Sequence, residues 1–197
     1  YSGHYRGLAG TPRDFVELPS QVMENWAMEP EVLKLYARHY KTGEVIPDAL
    51  VQRMQRAGTY GEGFKTVEYL AAALLDMAWH TLPEGKEQDA MAFEKATLER
   101  LGLLPEIPAR YRTPYFNHIW GGGYSAGYYA YIWSAVLDSD AFQAFKETGN
   151  LFDPKTAAAF RKEVLSKGGT ADSANLYRAF RGRDPKVEPL LVKRGLK

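Results

Sequence analysis

Phe64-Lys65-Thr66-Val67-Glu68-Tyr69-Leu70-Ala71-Ala72-Ala73-Leu74-Leu75-Asp76-Met77-Ala78-Trp79-His80-Thr81-Leu82 decides the fold class. Val67, Leu70, Leu74, Leu75 and Ala78 carry apolar groups nearly all the way round a helical wheel, as in a buried core helix. Working outward, the same 3.6-residue period predicts helices over 14–28, 30–41, 47–57 and 89–101. Others are predicted over 124–146, 154–166 and 171–181. Pro30, Pro47 and Pro154 suit first turns, whereas Pro19 requires that its helix begin close by or bend. Residues 1–12, broken by Gly3, Gly7, Gly10 and Pro12, read as an irregular lead. No stretch alternates in the manner of a strand, so the expected class is all-α, with residues 1–197 forming one helical domain.

Composition narrows the chemistry. The 197 residues hold 25 Lys and Arg against 24 Asp and Glu, a formal net charge of +1. That balance gives no electrostatic reason to expect nucleic acid or an anionic membrane as a partner. The basic stretch 178–197 is interspersed with Asp184 and Glu188 and reads as solvated surface. No cysteine is present, which removes disulfides, thiolate metal sites and a cysteine nucleophile together. A reducing cytoplasm suits such a chain. No apolar run approaches the roughly 20 residues that span a bilayer. The opening Tyr1-Ser2-Gly3-His4-Tyr5 has neither an initiator Met nor a signal-peptide pattern, so a fragment or a processed product is expected.

Two segments carry chemistry. In the first, helical spacing places Glu17, Gln21, Glu24 and Met28 on one face and Phe15, Leu18, Val22 and Trp26 on another. A carboxylate fixed beside apolar bulk can ligate a metal, act as a base or orient a neighbouring ligand. It can equally face water, and spacing alone does not choose. Histidine occurs only as His4, His39, His80 and His118, with no H-x-x-x-H pair and no H-E-x-x-H. A complete local zinc signature is absent.

The second segment is Tyr111-Arg112-Thr113-Pro114-Tyr115-Phe116-Asn117-His118-Ile119-Trp120-Gly121-Gly122-Gly123-Tyr124-Ser125-Ala126-Gly127-Tyr128-Tyr129-Ala130-Tyr131-Ile132-Trp133. Three glycines give a mobile backbone that tolerates positive φ and close approach to a ligand. Tyr124, Tyr128 and Tyr131, at i, i+4 and i+7, are predicted on one helix face beside that loop. Attack on a carbonyl develops an oxyanion, which pre-positioned phenol or imidazole donors stabilise. His118 and Tyr131 are the evident donors, and a further phenol can hold substrate. An aromatic core stripe with a satisfied histidine beside a flexible hinge has the same sequence appearance.

Both segments resemble the thimet oligopeptidase and peptidyl-dipeptidase family of zinc metallopeptidases. The string Gly10-Thr11-Pro12-Arg13-Asp14-Phe15-Val16-Glu17-Leu18-Pro19-Ser20-Gln21, followed by Glu24 and Trp26, is similar to the segment that supplies that family's third zinc ligand. His118-x-x-Gly121-Gly122-Gly123-Tyr124-x-x-x-Tyr128-Tyr129-x-Tyr131 is similar to the loop and helix that close over its active site. Residues 181–185 and 190–196 look like its closing residues, so the resemblance covers nearly the whole chain.

The resemblance implies that Glu17 binds one zinc ion and that Glu24 orients a zinc-ligating histidine. It implies that His118 and Tyr131 stabilise the tetrahedral intermediate, with Tyr124 and, more weakly, Tyr128 contacting substrate. In the family two histidines and a general base come from an H-E-x-x-H about two dozen residues before this glutamate. Only 16 residues precede Glu17, so the motif helix falls outside the chain. The expected architecture is therefore the C-terminal helical lobe of a zincin-type peptidase, inactive alone, with the missing N-terminal portion of the polypeptide as its partner.

Apolar surface is expected along the Glu17 face and the Tyr124 helix. The third glycine and the wording His118-Ile119-Trp120 look more like bacterial peptidyl-dipeptidases than animal oligopeptidases. The implied reaction is release of C-terminal dipeptides from oligopeptide substrates. Reading their free carboxylate calls for Arg110, Arg112 or Tyr124, among which the sequence does not choose. An endo-acting oligopeptidase and a non-catalytic helical peptide-binding module are the alternatives.

Overall fold

The computed structural model describes residues 7–83 and 87–197; the first half of the expected lead, with His4, lies outside them. The helices are α1 (Leu18–Ala27), α2 (Pro30–Tyr36), α3 (Asp48–Gly58), α4 (Glu62–His80), α5 (Ala90–Arg100), α6 (Asn117–Trp120), α7 (Ala130–Thr148), α8 (Pro154–Phe160), α9 (Ser173–Arg181) and α10 (Glu188–Lys193). Among the described residues there is no strand, only one isolated antiparallel bridge between Arg38 and Val45. The all-α expectation holds. None of these helices is long and apolar enough to cross a membrane.

The chain divides into two compact units, residues 1–60 with 132–197, and residues 61–131. In the first, Phe15, Leu18 and Val22 are buried with Leu137, Ala141 and Phe142 of α7 and with Phe160, Val164, Leu176 and Tyr177. Each fully buried aliphatic side chain there contributes about 1.5–3 kcal/mol. Trp26 meets Phe142 and Phe145 edge-on, at centroid separations of 4.5 and 4.8 Å, and its indole N–H donates to the Leu151 carbonyl. The Asn25 amide donates to Asp138 at 2.9 Å, fixing the rotation of α1 against α7. The apolar face predicted for this segment is therefore the core face. The helix itself starts at Leu18, not at 14, because Pro19 suits the first turn.

Aspartates cap the helices that start cleanly. Asp89, Asp153 and Asp172 each accept backbone N–H groups from the first turn of α5, α8 and α9. Helix α2 stops at Tyr36 rather than 41, since Ala37 is extended and Ile46 donates back to its carbonyl. Helix α8 continues through a π turn at Arg161–Leu165.

The C-terminal stretch 178–197 is not simply solvated surface. It contains α10, and its cations lock onto buried acids of α7. The Asp140 carboxylate, 0% exposed, accepts from Arg183 at 2.7 and 3.1 Å and from the Tyr177 hydroxyl at 2.8 Å. Arg181 lies 3.3 Å from the same carboxylate and forks onto Glu147 at 2.6 and 2.8 Å. Lys193 reaches Asp138 at 3.3 Å.

In the second unit Ala72 and Ala73 of α4 pack with Phe116, Ile119 and Tyr128. Helix α4 is not buried all round, however. Phe64, Val67, Leu70, Leu74 and Met77 form an exposed apolar stripe, because the described residues cover only the face bearing Ala72, Leu75 and Asp76.

Candidate active site

His118 stands on the single turn α6, and tyrosine rings surround it. Its ring centroid lies 5.0 Å from Tyr111, 5.5 Å from Tyr128, and 6.0 Å from both Tyr124 and Tyr131. Tyr124 and Tyr131 stack at 5.1 Å, and Tyr128 meets Tyr131 edge-on at 5.4 Å. The structure thus brings together the four residues expected to act on substrate.

The route to that convergence differs from the predicted helix face. Helix α7 starts at Ala130, so Tyr124 and Tyr128 precede it on a turn. Gly123 and Ala126 take positive φ, 79° and 51°, which no α-helix permits. Asp76 of α4 explains the detour. Its carboxylate, 0% exposed, accepts the backbone N–H of Ala126 and of Tyr128, each at 2.9 Å. His80, one turn on, places its Nδ1 2.8 Å from the same carboxylate. A buried carboxylate of this kind must find donors, and here it captures backbone amides that a continuous helix would have used. Sequence reading missed Asp76 as a site residue. The available signal was an acid between Leu75 and Met77 in an otherwise apolar run.

The glycine triplet serves packing of the chain on itself. Gly121 and Gly122 both donate to the Asn117 carbonyl, at 2.9 and 2.7 Å, and Tyr124 donates to the His118 carbonyl at 2.9 Å. A Cβ at Gly122 would lie 2.9 Å from the His118 Cα, a contact real side chains do not make. Glycine is required there so that the chain can close over the histidine.

Burial pushes the Tyr128 phenol well above its ordinary value, with Arg110 opposing the shift. Its hydroxyl therefore stays protonated and able to donate. The two candidate arginines part company. Arg112 is tied through Nε to Glu94, a carboxylate 2% exposed whose other oxygen accepts the Thr113 N–H at 2.7 Å. Arg110 is exposed, with its guanidinium carbon 6.0 Å from the Tyr111 ring centroid.

Glu17 and Glu24 belong to the first unit. Glu17 is the N-cap residue of α1, half-buried, and accepts the Ser20 hydroxyl at 2.9 Å. Glu24 is exposed, and the Gln21 side-chain carbonyl between them is buried without a hydrogen-bond partner. Among the described residues no three His, Cys, Asp or Glu side chains stand close enough to hold a metal ion. A catalytic zinc needs three protein ligands, so these residues do not fit a complete centre by themselves.

Comparison with known proteins bears on the same residues. A family profile described as Peptidase family M3 matches residues 3–196. The chain is 48% identical over 196 residues to the dipeptidyl carboxypeptidase of Escherichia coli (strain K12), covering 98% of this chain and 29% of that protein. It is 39% identical over 193 residues to oligopeptidase A of the same organism, covering 97% and 28%. Saccharolysin of Saccharomyces cerevisiae is 30% identical over 195 residues, covering 98% and 27%. The chain spans less than a third of the length of each of these relatives.

Proposed function

The chain belongs to peptidase family M3, and on that premise we propose that it is the C-terminal lobe of a longer zinc peptidase that releases dipeptides from the C-termini of oligopeptides. The observation that carries the reading is the ring of Tyr111, Tyr124, Tyr128 and Tyr131 around His118. The 48% identity to a dipeptidyl carboxypeptidase favours dipeptide release over internal cleavage.

In this reading His118 N–H and Tyr131 O–H donate to the oxyanion that forms when the scissile carbonyl is attacked. Donors fixed before the reaction cost no reorganisation during it, and each is worth about 10²–10³ in rate. Tyr124 and Tyr128 hold substrate, the latter as a permanently protonated donor. Glu17 serves as one carboxylate ligand of zinc and Glu24 orients a histidine ligand, the remaining ligands and the general base lying outside these 197 residues. The cytoplasm is the proposed compartment.

Mass spectrometry of the products from an N-acetylated oligopeptide, together with zinc content, tests the reading in the longer polypeptide. C-terminal dipeptides and one zinc, the latter lost in Glu17→Gln, are expected. Internal fragments alone would make the enzyme an endo-acting oligopeptidase, the activity proposed for it next. Peptide binding without turnover or zinc would leave only a binding module.

A further inference from the structure

Dipeptide release requires a group that reads a free carboxylate two residues beyond the scissile bond. Arg112 is committed to the buried Glu94, and moving it would strand a carboxylate that is 2% exposed. Arg110 is uncommitted: among the described residues no carboxylate forms an ion pair with it. Its guanidinium carbon lies 6.0 Å from the Tyr111 centroid, and that ring lies 5.0 Å from His118. We propose that Arg110 is the specificity residue that binds the substrate's terminal carboxylate while His118 attends the scissile carbonyl. The inference rests on the dipeptide-releasing function proposed above.

The spacing suits the task. Two extended residues span roughly 7 Å, which fits between a carbonyl in contact with His118 and a carboxylate in contact with a guanidinium one aromatic ring further out. A planar guanidinium can take both carboxylate oxygens at once, which rewards a chain terminus over an internal peptide group. Burial alone would lower the Arg110 guanidinium. The phenols of Tyr128 and Tyr111 and the Glu68 carboxylate outweigh that and hold it above its ordinary value. The cation thus stands among the same tyrosines that surround His118.

The test compares an N-acetylated tetrapeptide as free acid and as C-terminal amide, in the longer polypeptide and its Arg110→Gln and Arg110→Lys variants. Wild type is expected to favour the acid. Arg110→Gln should collapse the acid-to-amide ratio of kcat/KM by about 10- to 100-fold, the range set by one charge-assisted carboxylate contact. The change should fall mainly in KM for the acid. Arg110→Lys should restore part of the ratio, retaining charge without the planar fork. A ratio unchanged in Arg110→Gln, in a variant whose circular dichroism matches wild type, overturns the assignment of Arg110 alone. A wild type that cleaves acid and amide alike overturns dipeptide release itself, and this inference with it.

Discussion

The Asp76 carboxylate accepts the backbone N–H of Tyr128 at 2.9 Å, joining the middle of α4 to a residue 52 positions later. With its second bond, to Ala126, it sets where α7 can begin and where the Tyr124 and Tyr128 rings point. Asp76→Ala leaves two backbone donors without their acceptor and is expected to cost about 3 kcal/mol. Asp76→Asn keeps one acceptor and should cost less. Urea denaturation measures both, and equal stability for wild type and Asp76→Ala would show that the loop holds its shape without the carboxylate.

Gly122 should tolerate no side chain. A Cβ there meets the His118 Cα at 2.9 Å, whereas a Cβ at Gly121 meets the Asn117 side-chain oxygen at 3.0 Å, a group able to swing aside. In the longer polypeptide Gly122→Ala should therefore lower kcat by about tenfold or more through displacement of His118. Gly121→Ala should have the smaller effect. Steady-state kinetics of the pair check the order, and a more severe Gly121→Ala would contradict it.

The C-terminal clamp is an electrostatic unit rather than a surface decoration. Asp140 holds Arg183, Arg181 and Tyr177, and the Arg181 side chain is only 9% exposed. Removing one member of a buried ion network strands the others, so Asp140→Ala should cost about 3–5 kcal/mol in thermal or urea unfolding. A loss below about 1 kcal/mol would mean that water reaches these arginines freely.

Two groups of the same clamp give stability a pH dependence of known sign. Burial and the hydrogen bond to Asp140 raise the Tyr177 phenol above its ordinary value of 10.0. The folded state keeps that proton when the unfolded state has lost it, so the contribution is complete below about pH 10 and falls as pH rises further. The hydrogen bond from Arg181 lowers Glu147 below its ordinary value, so its contribution is complete above the usual glutamate range and is lost as pH falls. Tyr177→Phe should flatten the alkaline limb of unfolding free energy against pH, and Glu147→Gln the acid limb. Unaltered limbs would place the titrating groups elsewhere.

Helix positions and the core face of α1 were legible in the sequence because they depend on local period, caps and proline placement. Phe15, Leu18 and Val22 are buried as their spacing requires, and Pro30 and Pro154 open their helices. What the sequence concealed depends on partners distant along the chain. Residues 124–131 read as helix until Asp76 takes two of their amides. Residues 178–197 read as solvated until Asp138 and Asp140 bind their cations. The α4 stripe from Phe64 to Met77 is apolar enough for a core, yet periodicity cannot tell which apolar face the surrounding chain covers. The convergence on His118 was legible as a set of residues, while its construction from a captured loop was not.

The central claim is that the phenol of Tyr131, 6.0 Å from His118 between ring centroids, acts in the transition state. The direct measurement is steady-state kinetics of Tyr131→Phe in the longer polypeptide on an N-acetylated peptide. The account predicts that kcat falls about a hundredfold, with KM within about twofold, as expected for a donor used only by the oxyanion. A Tyr131→Phe enzyme that retains wild-type kcat would contradict it.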